Sequence, residues 1–290
     1  MTYPVHTPLV SVIMPIYNVA EYVHSAIESI INQTYKNIEL IIINDGSTDD
    51  SDSIIKQFLH DTRIKYLSRE NKGLISTLNE GIAHAQGEFI ARMDGDDISH
   101  PERIKKQVEF LLKNEDIAVL GTASVIINSE SDKIGERNPP SSPFFNKALM
   151  IFGPTVTHPS VMIRRSLVGS ELYYNPNSFY VEDYELWLRL SKKVKIANLS
   201  EKLFYYRINT NGISITHAID QKNNAAFAYM DVIHSGVNDK NLLNHLKVIH
   251  QKDSDKKIKR ALSLLFVLAN YELDRYVFIK IGYIIRWFLK

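Results

Sequence analysis

Glu88-Phe89-Ile90-Ala91-Arg92-Met93-Asp94-Gly95-Asp96-Asp97 runs from an apolar stretch straight into three carboxylates within four residues. Packed acids at a strand end repel one another and raise one another's pKa. A divalent cation relieves that repulsion, and hard carboxylate oxygens suit Mg²⁺ or Mn²⁺. A metal at a strand end in turn points to a phosphate-bearing ligand. On these residues alone, a solvated acidic turn and an aspartyl-phosphatase loop remain alternatives. A calcium loop does not fit, because Ile98 and Lys105 stand where its fifth and twelfth positions need oxygen ligands.

Working outward, strand and helix patterns alternate. Val10 to Met14 reads as a buried strand, and Val23, Ala26, Ile27, Ile30 and Ile31 recur at helical spacing. Glu39 to Ile43 is a second strand, followed by Asn44-Asp45-Gly46-Ser47-Thr48-Asp49. The hydroxyl and acid side chains there suit N-caps for a helix carrying Ile54, Ile55 and Phe58. Ile64 to Leu67 is a short strand, Leu74, Leu78 and Ile82 mark a helix, and Pro101 opens another through Leu112. This alternation implies an α/β fold with a mostly parallel, doubly wound, Rossmann-like sheet. Ligands of such sheets bind beyond the carboxyl ends of the strands. Three loops fall there: Pro15-Ile16-Tyr17-Asn18, Asn44-Asp45-Gly46-Ser47 and Asp94 to Asp97.

Composition narrows the chemistry. The 290 residues are 44% hydrophobic and 23% charged, as in globular chains that bury a core. A net charge of +1 gives no global field for nucleic acid, so no nucleic-acid partner is expected. The absence of cysteine excludes thiolate zinc sites, disulfides and a cysteine nucleophile. No basic-then-apolar leader precedes Leu9, and no apolar run reaches the roughly 18 residues that span a bilayer. The expectation is a soluble or peripheral protein.

Side chains at the three loops suggest a nucleotide. Asp45 can accept hydrogen bonds from a base or a ribose, and Tyr17 can stack on a base. A strand-to-helix turn with good capping explains the same residues without a ligand. No glycine-rich phosphate loop is present, so a diphosphate would need metal and basic side chains. Arg92, Lys72 and Arg207 are the candidates. Glu182-Asp183, ahead of Trp187, either complements a helix dipole or supplies a general base.

Together these segments resemble glycosyltransferase family 2, whose members invert at the anomeric carbon on the GT-A fold. Val10 to Asn18 is similar to the family's opening strand and P-x-Y-N loop, and Ile42 to Asp49 to its V-D-D-G-S-T-D segment. Glu70-Asn71-Lys72-Gly73 resembles N-x-G, Arg92 to Asp97 the D-x-D region, and Glu182 to Trp187 the E-D motif. His158 to Met162 and Tyr205-Tyr206-Arg207 look like segments of bacterial surface-polysaccharide members. The likeness spans residues 8 to 215.

The resemblance implies roles. Pro15, Ile16, Tyr17, Asn18, Asp45, Asn71 and Gly73 would line a nucleoside pocket, for uridine. Arg92, Asp94 and Gly95 would complete the donor site, with Asp94 on the ribose and Arg207 at the diphosphate. Asp96, with Asp94, would ligate Mn²⁺ or Mg²⁺. Asp183 would be the base, Glu182 would shape the acceptor site, and His158 and Trp187 would lie on the acceptor side. The implied reaction is metal-dependent transfer of a sugar from a nucleotide-sugar to a hydroxyl of a glycan or lipid-linked acceptor. Its setting would be capsule, O-antigen or other surface-polysaccharide synthesis.

Three departures matter. Asn44 replaces the first acid of D-D-G-S, and Asn209 stands where many relatives carry a histidine near the metal. The Q-x-x-R-W signature of processive synthases is missing, with Tyr283 in place of the glutamine before Arg286-Trp287. One sugar per encounter is therefore expected. The rival readings are a sugar- or nucleotide-binding module with an inactive site and a metal-dependent sugar-phosphate enzyme.

The domain expectation is a catalytic domain over 1–217, with a nucleotide half over 1–115 and an acceptor half over 116–217. A mostly helical extension follows over 218–290. Lys252, Lys256, Lys257, Lys259 and Arg260 lead into an aromatic and basic end, Tyr276 to Lys290. Such a segment suits the inner face of the cytoplasmic membrane. Packing on the catalytic domain, or on a second copy as a homo-oligomer, explains it equally well.

Overall fold

A computed structural model describes residues 7–209, 216–251, 257–272 and 276–288. Lys252, Lys256 and Lys290, included above in the basic tail, lie outside the described residues, as does the side chain of Trp287. The chain divides into two compact units that interleave in sequence. One comprises residues 1–139, 156–173 and 194–209; the other comprises 140–155, 174–193 and 210–290.

The first unit is built on one nine-stranded sheet. Its strands are β1 (Val10–Ile16), β2 (Ile38–Asp45), β3 (Ile64–Arg69), β4 (Phe89–Arg92), β5 (Ile98–Ser99), β6 (Ile117–Ile127), β7 (Lys133–Arg137), β8 (Met162–Arg164) and β9 (Lys195–Arg207). The spatial order is β3-β2-β1-β4-β8-β6-β9-β5, with β7 on β6. The first four strands are parallel, as alternation with helices requires. Beyond β4 the pairing turns mixed: β8 is antiparallel to β4 and β6, and β9 is parallel to β6.

β1, β2 and β4 are apolar on both faces because helices cover both sides of a parallel sheet. Val10, Val12, Met14, Leu40, Ile42 and Ala91 are fully buried, each larger side chain contributing about 1.5–3 kcal/mol of transfer free energy. Helix α1 (Ala20–Ile31) buries Val23, Ala26, Ile27 and Ile30, the stripe its spacing dictates. Helices α2 (Ser51–Lys56), α3 (Leu74–His84) and α4 (Arg103–Lys113) follow the next strands. Pro101 does not open α4; the Gln33 Oε1 accepts from the Ile104 amide at 3.0 Å and caps that helix from a distance.

The second unit holds α5 (Pro143–Leu149), α7 (Glu182–Ser191), α8 (Ala218–Ile233), α9 (Lys240–His250), α10 (Lys257–Asn270) and α11 (Val277–Phe288). The four-residue α6 (Arg165–Val168) belongs to the sheet unit. Among the described residues, no helix is long and apolar enough to cross a membrane.

Candidate active site

The parallel register decides where the loops meet. Ile16 at the end of β1 pairs with Asn44 of β2, and Ile13 pairs with Arg92 at the end of β4. The loops after these strands therefore leave one sheet edge side by side. A Cβ on Gly95 would lie 2.4 Å from Ile16 Cδ1 and 3.0 Å from Val19 Cγ2, so the acid loop packs directly on the first loop.

The first two loops are latched together. Asn18 adopts a left-handed φ of 51°. Its amide donates to Ser47 Oγ at 3.0 Å, and its Oδ1 accepts from the Thr48 amide at 2.8 Å. Val19 N donates to Ser51 Oγ and Ala20 N to Asp49 Oδ2. These are the amides that the start of α1 leaves without intrahelical partners. The hydroxyl and acid residues after β2 thus cap α1 as well as starting their own helix. Asn18, expected to line the donor pocket, holds these two loops together.

Asn44 has a reason to be an amide. It is buried, its Oδ1 accepts from the Ser47 amide at 3.0 Å, and its Nδ2 donates to the Tyr66 hydroxyl at 3.2 Å. Tyr66 in turn donates to Asp52. A carboxylate at 44 could not supply that donor.

Asp45 is also buried. Its Oδ1 accepts from the Arg69 guanidinium and, at 2.7 Å, from the Lys72 amide. Arg69 reaches Glu80 at 2.7 Å and Thr77 Oγ1 at 2.9 Å as well. The loop after β3 therefore wraps the same edge, with Asn71 Oδ1 accepting from the Gly73 amide at 3.2 Å. Gly46, at φ +73°, leaves no room for a side chain: a Cβ would lie 2.6 Å from Asn71 N. Tyr17 is exposed at this edge, and Pro15 lies in β1 opposite Ile43.

In the acid loop, carboxylate oxygens of Asp94, Asp96 and Asp97 lie within 4.8 Å of one another. Arg92 Nη1 pairs with Asp94 at 2.5 Å. Burial, reinforced by the Asp94 charge, pushes the Asp96 carboxyl up to about 6, against a hydrogen bond from Asn209 that favours its charged form. Asp97 is buried and its carboxyl is raised well above the usual range by burial and by its two acidic neighbours. Its Oδ1 accepts from the Arg207 amide at 2.7 Å, and its Oδ2 is buried without a hydrogen-bond partner among the described residues. Clustered hard oxygens from three acids, with the Asp97 Oδ2 unsatisfied, form a donor set that fits Mg²⁺ or Mn²⁺.

Arg207, for which a diphosphate contact is expected, makes a set of contacts within the protein. It is buried, with its guanidinium 4.4 Å from the centre of the Tyr22 ring. Nε donates to the Asp96 carbonyl at 2.7 Å. Nη1 donates to the carbonyls of Asn128 and Ser129, at 2.7 and 2.9 Å, and both terminal nitrogens reach Ser131 Oγ at 3.1 Å. These bonds clamp the acid loop to the β6–β7 turn.

Arg103 is a second buried arginine, and sequence reading did not single it out. Its Nη1 donates to the Arg92 and Pro159 carbonyls at 3.1 and 2.9 Å, fixing the end of β4. Burial lowers its pKa to about 9. Arg69 was missed too, although its place at the end of β3 put it on the same edge. His158 belongs to this unit, where burial and the Arg92 charge hold its pKa well below the usual value.

Glu182, Asp183 and Trp187 belong to the other unit, on α7. Three acids occupy the first turn of that helix, where its dipole favours them. Asp183 is half-buried, and its Oδ1 accepts from the Tyr184 amide at 2.7 Å. Trp187, expected on the acceptor side, is fully buried and anchors α7 in its unit. Just before the helix, Tyr180 holds a left-handed φ of 65° and stacks on His217 at 4.1 Å. Such strain persists only where surrounding packing enforces it.

The family model for glycosyl transferase family 2 matches residues 11–170, a span that contains the latched loops and the acid triplet. The chain belongs to glycosyltransferase family 2. An uncharacterized glycosyltransferase of Haemophilus influenzae is 34% identical to this family member, over 98% of this chain and 92% of its own length. The O-antigen biosynthesis glycosyltransferase WbnJ of Escherichia coli is 37% identical over 69% of this chain and 80% of that protein. Among solved structures, a Pyrobaculum calidifontis mannosyltransferase in complex with GDP-Man and Mn²⁺ superposes with a TM-score of 0.65. It is 15% identical and the match covers 92% of this chain and 77% of that one. S. aureus TarS 1-349 in complex with UDP gives 0.61 at 15% identity, covering 94% and 90%. At that identity the likeness establishes the fold, a GT-A-type α/β architecture shared across this family-2 chain and its neighbours.

Proposed function

We propose that this family-2 glycosyltransferase moves a sugar from a UDP-sugar to a hydroxyl of a glycan or lipid-linked acceptor in bacterial surface-polysaccharide synthesis. The observation that carries this reading is the acid triplet at the end of β4, set beside the latched loops after β1 and β2. Relatives that act in polysaccharide synthesis and neighbours that bind nucleotide-sugars support it.

In this reading Pro15, Tyr17, Asp45 and Asn71 hold the nucleoside. Arg69 holds the buried Asp45 carboxylate in place. Asp96 and Asp94 are the residues that would hold Mg²⁺ or Mn²⁺. Bound there, the cation would supply positive charge against the departing diphosphate. Asp183 takes the proton of the acceptor hydroxyl. The hydroxyl oxygen forms the new bond to the anomeric carbon as the bond to the diphosphate breaks, and the configuration inverts. Glu182 shapes the acceptor side.

The test is a panel of nucleotide-sugars offered with and without lipid-linked or soluble glycan acceptors. UDP-sugar turnover that depends on the acceptor, with an inverted linkage by NMR, is the expected result. Phosphate release without an acceptor would instead mark a sugar-phosphate enzyme. Binding without turnover on any donor would mark a binding module.

A further inference from the structure

The last two helices carry more apolar surface than their unit buries. Helix α10 has an inward face of Ser263, Leu264, Val267 and Leu268, all buried. Its outward face is apolar as well: Ile258, Leu262 and Leu265 are 70%, 61% and 50% exposed. These residues stand at i, i+4 and i+7, so they form one stripe along the helix. A surface helix ordinarily turns polar residues to water, and one that is apolar all round is ordinarily covered.

Helix α11 repeats the pattern. Phe278 and Ile285, seven residues apart on one face, are 82% and 53% exposed. Gly282, between them on that face, is exposed too. Single exposed apolar residues need no explanation, but ordered stripes of them mark an interaction surface.

Charge selects the partner. Neither helix contains an aspartate or glutamate. Exposed Lys259 flanks the first stripe, and exposed Arg286 adjoins the second. Three residues read from sequence as part of a membrane-facing segment point the other way. Arg260 on α10 is buried, with its Nε donating to the Ile249 carbonyl at 2.7 Å, and two more lie at α11. Tyr276 is buried, and Lys280 is buried in an ion pair with Glu272 at 2.6 Å. That pair lets α11 bury a lysine inward while keeping Phe278, Ile285 and Arg286 outward. Glu272 also accepts from Tyr229 and His234, which ties α11 to α8.

We infer that the outward faces of α10 and α11 form a peripheral docking surface for an anionic lipid bilayer, with the apolar stripes entering the headgroup region and Lys259 and Arg286 meeting lipid phosphates. An acid-free helix with an apolar face and flanking cations has the chemistry of an interfacial helix. This surface is independent of which sugar or acceptor the enzyme uses.

The test is co-sedimentation of the full-length protein with vesicles of phosphatidylglycerol and phosphatidylethanolamine, against phosphatidylcholine alone. Binding to the anionic vesicles only is expected. Leu262→Ser/Leu265→Ser should lower the partition coefficient about tenfold or more. Lys259→Ser and Arg286→Ser should lower it about fivefold each. All four positions are exposed, so circular dichroism and donor turnover with a soluble acceptor should be unchanged. Absence of vesicle binding overturns the inference, as does binding that these substitutions leave intact. So does a dimer, seen by sedimentation equilibrium, that the serine variants dissociate while vesicles bind neither form.

Discussion

Replacing Arg207 separates two jobs that sequence cannot tell apart. If the guanidinium contacts a diphosphate, Arg207→Lys should retain much of its function, because the charge survives. If it is the clamp described above, lysine should fail, because one ammonium cannot replace a planar fork that serves Asp96, Asn128, Ser129 and Ser131 at once. Removing one partner of a buried charged network costs about 3–5 kcal/mol. The lower end suits Arg207→Ala, since water can enter beside the turn at 128–131. At about 2–4 °C per kcal/mol for a chain of this size, a loss of about 3 kcal/mol lowers Tm by roughly 6–12 °C. Arg207→Lys should lose about 2 kcal/mol, the worth of one charged hydrogen bond. Calorimetry reads the stability. Titration of activity with Mn²⁺ reads the loop, and the half-saturating metal concentration should rise in both variants as Asp96 loses its fixed backbone. A lysine variant with wild-type Tm and metal requirement, or an alanine variant that raises only the donor KM, would refute the clamp.

Other outcomes follow from the same geometry. Asp183→Asn should abolish transfer while isothermal calorimetry finds UDP affinity nearly unchanged; full turnover would remove Asp183 as the base. Gly46→Ala should cost about 1–3 kcal/mol from the left-handed φ alone, and more from the clash with Asn71 N, measured as a fall in Tm. For Asp96, the folded pKa of about 6 lies above the ordinary carboxylate value, so folding favours the protonated form. In chelator, stability should therefore rise as pH falls from about 6 to about 4, and be lost again as pH climbs through 6. With Mn²⁺ present the trend should reverse, because the cation competes with the proton, and thermal melts across that range read both arms.

Much of the site was legible in the chain. The apolar runs that end in Ile16, Asp45 and Arg92 announced parallel strands, and parallel strands put their carboxyl ends together. Charge density announced the acid loop, since three adjacent carboxylates need a reason whatever surrounds them. Other features were not legible, because they depend on partners far away in sequence. The 13-residue β9 was hidden by Glu201 and Lys202, which interrupt its apolar pattern, yet it pairs along the whole of β6. Arg207 reads as an arginine like any other until Asp97, 110 positions earlier, accepts its amide. Arg103 carries no local signal of burial at all.

Sequence by itself determined the alternating α/β order, the three loop chemistries and the family, because these are set by period, residue type and spacing along the chain. Only tertiary structure decided that Asn18 and Asp49 latch loops, that Asn44 must be an amide and that Arg207 holds the acid loop from behind. It also decided that Trp187 is core and that Ile258, Leu262 and Phe278 face outward. The reason is the same throughout: a side chain's role at a site is fixed by what lies within hydrogen-bond reach and by how much water it keeps, and both are properties of the packed chain.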